Sequence, residues 1–366
     1  MTGRTGPVGV GVIGAGVISD QYLGNLTRFP DVQVRAVADL DVARAAAKAQ
    51  QYGVPTAGTV DELLADDDIE IVVNLTIPAA HVEVAERVLA AGRHVWTEKP
   101  LALDRTAAEE VVAAGEAAGL RVASAPDTFL GAGIQSALRR MRAGELGDVH
   151  SALTLMQSPG PESWHPNPDF LFQAGAGPLF DIGPYYLTAL VQFFGPISRV
   201  QAVATTARQE RIIGSGPRAG ERFAVTVPTH VSALYEFAGG ATASSIFSFD
   251  TRQGRTLFEL SSSDVTLAIP DPNMFEGDLT IVREDATDTV PAEGASAGRG
   301  MGVVELARAI RAGRPERASG RLALHVVDVM QATIEAATAG TALGVHTTVT
   351  APAPLEADWD PFARTL

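Results

Sequence analysis

Glu98-Lys99-Pro100 is the tripeptide whose residue types most plainly ask for a chemical explanation. It closes an apolar, strand-type run, His94-Val-Trp-Thr, although lysine is seldom buried and proline ends a hydrogen-bonding ladder. A solvated strand end is the bland alternative. A lysine held there would anchor a substrate hydroxyl and lower the pKa of the group that exchanges the hydroxyl proton as hydride leaves a carbinol carbon. A second polar strand end, Asn74-Leu-Thr76-Ile-Pro78 with His81 three residues on, would lie with Glu98 and Lys99 near a bound cofactor. For His81, a capping or surface role is the alternative. Farther along, Glu162-Ser-Trp-His165-Pro-Asn167 leads into Gly175-Ala-Gly-Pro-Leu-Phe-Asp181-Ile-Gly183-Pro-Tyr185-Tyr186, the chemical stretch of the second half.

With zero cysteines, the chain has no disulfide, thiolate metal site or Cys nucleophile, so redox chemistry must come from a bound cofactor. Residues 8–20 offer a place for one: Val-Gly-Val-Gly-Val-Ile-Gly14-Ala-Gly16-Val17-Ile18-Ser19-Asp, an apolar run entering a glycine turn and then helical periodicity. Gly14 would permit the tight turn and Gly16 the close approach of a pyrophosphate, while N–H groups at Val17 and Ile18 would face the anion. Ser19 stands where a G-x-G-x-x-G fingerprint has its third glycine, a departure that a small residue tolerates. Asp39 ends a β-rich run 20 positions after Ser19, where a carboxylate would bond a ribose 2′-hydroxyl and repel a 2′-phosphate. NAD is therefore expected over NADP. Leu40 brings no cation for that phosphate, though Arg44 or Arg35 would be near enough to swing in.

The 366 residues suggest two domains, residues 1–125 and 126–366, and 46% apolar content suits a soluble globular protein. A net charge of −15 argues against a nucleic-acid or anionic-membrane partner. No secretory h-region precedes the first strand and no membrane-length apolar run follows, so the expected location is the cytoplasm. The seven histidines form no H-x-x-x-H pair, and no metal is expected.

Strands and helices must alternate to place these residues. Strands are expected at 8–13, 32–39, 69–76, 94–97 and 120–124, with helices at about 17–29, 41–52, 81–91 and 104–119, and Thr59-Val-Asp-Glu62 has the form of a capping box. The pattern predicts a doubly wound parallel sheet, a Rossmann domain whose ligands sit beyond the carboxyl ends of its strands. From about Pro126 it changes to an α+β domain with a large, mostly antiparallel open sheet. Strands are expected at 150–156, 199–205, 229–238, 241–250 and 257–269, Gly239-Gly240 making a hairpin, and helices at 132–143, 302–312 and 322–339. Leu234 and Phe237 are expected on one face. Residues 205–227 and 285–299 read as long loops.

The Gly14-Ala-Gly16 turn, Asp39, Thr76-Ile-Pro78 with His81, and above all Glu98-Lys99-Pro100 make the chain similar to the Gfo/Idh/MocA family, the glucose-fructose oxidoreductase and inositol dehydrogenase group, over nearly its whole length. The resemblance implies a catalytic role for Lys99, a cis peptide before Pro100, and an open sheet often covered by a second subunit, hence a homodimer or homotetramer. Residues 175–186 resemble the family's second signature, Gly-Gly-x-x-x-Asp-x-Gly-x-His, in which Asp and His lie one helical turn apart and face the substrate. Asp181 and Gly183 match; Tyr185 stands in the histidine's place.

A tyrosine would serve as acid–base if Lys99 lowers its pKa from about 10, whereas His165 has the more suitable value of about 6.5. Asp181, at about 3.9, is a weak base for a carbinol. Tyr185 is assigned the proton exchange and His165 substrate binding, the alternative being a packing aromatic and a loop histidine. The expected function is an NAD(P)-dependent oxidoreductase acting on a sugar, polyol or inositol-like substrate. The alternatives are an NAD-dependent glycosidase or lyase that oxidises a sugar transiently, and a non-catalytic nucleotide sensor.

Overall fold

The computed structural model describes residues 5–366, which divide into two compact units. Among the described residues, the first comprises 5–132, Gly294–Leu324 and Pro352–Leu366; the second comprises Gly133–Glu293 and His325–Ala351. A cut near Pro126 therefore follows the change of pattern but not the packing. Residues from the end of the chain return to the first unit through contacts that no linear pattern carries.

In the first unit the strands are β1 (Val8–Ile13), β2 (Val32–Ala38), β3 (Thr56–Gly58), β4 (Ile71–Asn74), β5 (His94–Thr97) and β6 (Val122–Ser124). They form one parallel sheet in the order β3-β2-β1-β4-β5-β6. Helices α1 (Ser19–Leu26), α2 (Val42–Tyr52), α3 (Val60–Leu64), α4 (His81–Ala90) and α5 (Arg105–Ala117) connect them. The capping box at Thr59 and Glu62 is formed, and Asp104 accepts from the Ala107 N–H to start α5. β1, β4 and β5 are buried throughout, as a sheet covered on both faces requires. The strand order reverses between β1 and β4, the position where such sheets open a crevice for ligands.

The second unit begins within α6 (Ala132–Arg142), followed by β7 (Ser151–Gln157), α7 (Gly177–Phe194) and β8 (Ile197–Thr205). Next come β9 (Glu210–Ile212), β10 (Arg222–Ala224), β11 (His230–Phe237), β12 (Thr242–Ser248), β13 (Arg255–Ser261), β14 (Thr266–Ala268), β15 (Leu279–Arg283) and β16 (Ala286–Val290). Helices α8 (Met301–Ala312) and α9 (Gly320–Ala339) and the short β17 (Leu343–Gly344) complete the chain. Nine strands make a sheet in the order β16-β15-β14-β13-β7-β12-β11-β8-β17. Its pairs are antiparallel apart from β7 with β12.

Two loop expectations are corrected. Residues 205–227 hold the β9–β10 ribbon, and residues 285–299 hold β16. These strands are too short or too polar to show a period of two. The placement of Leu234 and Phe237 is also corrected: Leu234 is exposed and Phe237 buried, because residues three apart on a strand point to opposite faces. Val231, Ala233, Tyr235 and Phe237 face inward. Tyr186 of α7 packs on Phe247 and Phe258 at ring separations of 5.7 and 6.1 Å. On the outer face, Val203, Leu234 and Leu153 stand exposed on strands of the same sheet.

α8 is drawn into the first unit by specific chemistry. A Cβ on Gly302 would lie 2.0 Å from Trp96, so only glycine lets the helix sit there. Arg308 bonds Asp31 at 2.8 Å, and Arg311 grips Glu70 with bonds of 2.8 and 2.6 Å.

Candidate active site

The carboxyl end of β1 becomes a turn whose glycines have separate jobs. Gly14 has φ +103°, and a Cβ there would meet the Leu75 carbonyl oxygen at 2.6 Å, so both conformation and packing require glycine. A Cβ on Gly16 meets nothing within 4 Å; the space before it is open. Ile18 caps α1 without a side-chain bond, and the N–H groups of Ser19, Asp20 and Gln21 close the opening turn on the carbonyls of Gly16, Val17 and Ile18 at 3.1, 3.3 and 3.1 Å. Ser19 is buried, and its hydroxyl donates to the Gly16 carbonyl at 2.6 Å. The departure from the glycine fingerprint thus ties the turn together. Val17, Leu40 and Ile77 are exposed apolar side chains on the loops after β1, β2 and β4, as expected of surfaces that receive flat rings. These features fit a dinucleotide.

Asp39 is committed more heavily than its sequence position suggests. It accepts from the Ala15 N–H at 2.7 Å, the Asp41 N–H at 2.9 Å and Arg44 at 2.6 Å. Burial pushes its carboxyl up, but the Arg44 bond and the two N–H groups outweigh this and hold it below the usual carboxylate range. Arg35 is engaged elsewhere, with Asp66 and Asp68 at 2.9 and 3.1 Å. Arg44 therefore blunts the repulsion that Asp39 would exert on a 2′-phosphate. Arg44→Ala is expected to weaken NADPH binding about tenfold, the worth of one charge-assisted contact, while leaving NADH nearly unchanged. Fluorescence titration with both nucleotides checks this.

Two polar networks brace the end of β5. His81 is buried, with Nδ1 2.7 Å from the Pro100 carbonyl and Nε2 3.1 Å from the Thr76 carbonyl. Burial, opposed by those two carbonyls, depresses its pKa. Asn74 donates to the His81 carbonyl at 3.0 Å and accepts from the Thr76 hydroxyl at 2.6 Å. His81 is thus a buried brace and not a surface residue: it staples the Thr76–Pro78 turn to the segment after Lys99.

Glu98 is likewise a brace. It accepts from the Tyr22 hydroxyl at 2.7 Å and from the Lys99 N–H at 2.9 Å, and Trp96 donates to the Tyr22 oxygen at 3.2 Å. The Lys99-Pro100 and Ala125-Pro126 bonds are cis.

Asp127 was not flagged by the sequence, although it follows β6 at the same carboxyl edge. It is fully buried and accepts from the Gly300 and Gly302 N–H groups at 2.8 and 3.1 Å, capping α8. Burial pushes its carboxyl up to about 6 despite Arg299, 3.9 Å away. Scanning strand ends for carboxylates would have found it; Tyr22 and Arg299 carry no such signal.

In the second unit, Asp181 and Tyr185 lie one turn apart on α7, Asp181 half-buried and Tyr185 buried. Between them, a Cβ on Gly183 would lie 3.1 Å from the Leu179 side chain of the same helix and at an ordinary contact distance of 3.7 Å from Met330. His165 is half-buried on the preceding loop, and its Nδ1 accepts from the Asn167 N–H at 3.0 Å. That bond places the ring proton of the neutral form on Nε2, which is then a donor.

Residues 8–125 match the family model described as Oxidoreductase family, NAD-binding Rossmann fold, and residues 134–268 match the GFO/IDH/MocA C-terminal domain. A dTDP-3,4-didehydro-2,6-dideoxy-alpha-D-glucose 3-reductase of Streptomyces antibioticus is 32% identical over 56% of this chain and 63% of its own length, so the match spans less than two thirds of that relative. The trans-1,2-dihydrobenzene-1,2-diol dehydrogenase of Sus scrofa is 28% identical over 82% of this chain and 86% of its own. The fold matches that of levoglucosan dehydrogenase in complex with NADH and levoglucosan, with a TM-score of 0.79, 21% identity and coverage of 93% of this chain and 100% of the other. The chain belongs to the GFO/IDH/MocA family of oxidoreductases, and its first unit carries that family's NAD-binding Rossmann fold.

Proposed function

We propose that this protein is an NAD(P)-dependent dehydrogenase or reductase that moves hydride between nicotinamide and a hydroxyl-bearing carbon of a sugar, polyol or inositol-like substrate. The observation that carries the reading is the bracing of Lys99, whose own N–H is bonded by a buried Glu98 fixed in turn by Tyr22. Such a support is hard to explain for a solvated strand end. The bound dinucleotide supplies the hydride chemistry, with Gly14, Gly16, Val17, Ile18, Asp39, Thr76 and Pro78 as the residues that would hold it. Lys99 binds the substrate hydroxyl, Tyr185 exchanges its proton, Asp181 orients it, and His165 donates to a neighbouring hydroxyl.

The reading is tested by nicotinamide-dependent turnover across D-xylose, levoglucosan, myo-inositol and trans-1,2-dihydrobenzene-1,2-diol. Net NADH or NADPH formation from at least one supports it; none from any of them counts against it. The roles of Tyr185 and His165 separate in single-turnover hydride transfer. Tyr185→Phe is expected to slow the step about 10²-fold, the ordinary worth of acid–base assistance, whereas His165→Ala should chiefly raise KM. A Tyr185→Phe enzyme that keeps its rate while His165→Ala collapses would reverse the assignment.

Self-association through the outer face of the large sheet belongs to the same proposal, supported by exposed Leu153, Val203 and Leu234. The expected product is a homodimer or homotetramer working in the cytoplasm. Leu234→Arg should convert the assembly to monomer in sedimentation analysis, and an unchanged mass would reject this surface.

A further inference from the structure

The loop between β7 and α7 presents aromatic rings to solvent. Trp164 is 67% exposed and Phe170 51% exposed, with His165 between them. Its ring centroid lies 5.5 Å from each, and the interplanar angles are 69° and 71°. Two such side chains leave apolar ring surface in water that a ligand would cover.

The loop is nevertheless held firmly. The Arg211 side chain, 2% exposed, pairs with the carboxylates of Glu162 and Asp250, donates to the Phe249 carbonyl at 3.1 Å and lies over the Phe172 ring at 4.8 Å. Arg218 grips Asp169 with bonds of 2.9 and 3.0 Å, and the Gly214 N–H donates to the Glu162 carbonyl at 2.8 Å. The segment carrying the β9–β10 ribbon thus clamps the loop on both sides of the aromatic cluster. Gly160 makes room for the clamp: a Cβ there would fall 2.2 Å from Glu162 Oε2 and 2.6 Å from Arg211 Nη1. The turn at Asp169–Phe172 packs against α7, the helix that carries Asp181.

We infer that Trp164, His165 and Phe170 form the rest for a neutral six-membered ring, its C–H face against the aromatic side chains and an edge hydroxyl accepting from His165 Nε2–H. The inference rests on the oxidoreductase reading and adds the substrate's shape and charge. Rigid aromatic surfaces reward a rigid apolar face, whereas an open-chain polyol must surrender rotor entropy to present one. The charge balance disfavours a nucleotide-linked or phosphorylated sugar. Glu162, Asp169 and Asp250 outnumber Arg211 and Arg218 around the loop, and both guanidiniums are already engaged by carboxylates. The exposed rings therefore select a face, and His165 selects one hydroxyl position on its rim.

Saturation-transfer NMR on the NADH-loaded protein tests this, with levoglucosan, D-xylose and trans-1,2-dihydrobenzene-1,2-diol as neutral rings, D-sorbitol as the open-chain probe and UDP-glucose as the charged one. At least one neutral ring is expected to bind more tightly than sorbitol and UDP-glucose. Trp164→Ala and Phe170→Ala should each weaken that ring at least tenfold, with Trp164→Phe restoring most of the loss and the melting temperature of each variant unchanged. Failure of every neutral ring to bind, tighter binding of UDP-glucose, or affinities unmoved by both alanine variants would overturn the inference. Ring binding that obeys these expectations without any nicotinamide reduction would uphold the rest and count against the oxidoreductase reading. Turnover with an unchanged KM in both alanine variants would do the reverse.

Discussion

Lys99→Met is expected to lower kcat by about 10²-fold or more while leaving the Kd for NADH within about twofold. The asymmetry follows from where the bracing acts. Glu98 accepts from the backbone N–H of Lys99, and His81 lies 2.7 Å from the Pro100 carbonyl; both are contacts to the main chain, which the substitution keeps. The glycine turn and Asp39 lie on other loops and are untouched. Methionine keeps much of the side chain's length and apolar stem while removing the charge that binds the hydroxyl. Steady-state kinetics paired with NADH titration checks the split. Turnover close to wild type would remove Lys99 from the chemistry, and parallel loss of nucleotide binding would make it a cofactor ligand instead.

Acidification from pH 7 to pH 4 is expected to cost the fold several kcal/mol through two buried histidines. Burial lowers the pKa of His94 and of His325 to about 4 each. The hydrogen bonds explain why protonation is resisted. His94 Nδ1 accepts from the Arg121 N–H at 2.8 Å, and His325 Nε2 accepts from the Ile197 N–H at 3.0 Å. A proton added at either nitrogen would set donor against donor. Each folded-state pKa lies below the unfolded value of about 6.5, so the unfolded chain binds more protons. The stabilisation is complete above about pH 6.5 and is lost as pH falls toward 4, at about 3 kcal/mol per histidine. Against a total of about 5–15 kcal/mol, both together would bring unfolding within reach. Urea midpoints measured across this range should fall steeply, and His325→Asn should flatten the dependence. A flat wild-type profile would contradict the account.

The parallel sheet was legible because its strands and caps are local: β5 at His94–Thr97 and the Asp104 cap follow from short-range pattern alone. The strand-end rule also placed Asp39, Thr76 and Lys99 just beyond the ends of β2, β4 and β5, where they lie. It did not reveal that Asp39 is shared with Arg44 or that His81 and Glu98 are braces, since those facts depend on partners brought together by tertiary contact. Tyr22 meets Glu98 across 76 positions, and Arg211 meets Glu162 across 49. The β9–β10 ribbon escaped notice for a different reason: three-residue strands carry too little alternation to stand out from a loop.

Hydride transfer itself is the most direct test of the account. A cyclic substrate deuterated at its carbinol carbon, incubated with the enzyme and oxidised nicotinamide, should deliver the deuterium to the nicotinamide ring in a single turnover. Tyr185→Phe and Lys99→Met should slow that transfer without releasing the nucleotide. Product formed with the deuterium still on its original carbon, or a bound nicotinamide that never acquires it, would contradict the central claim.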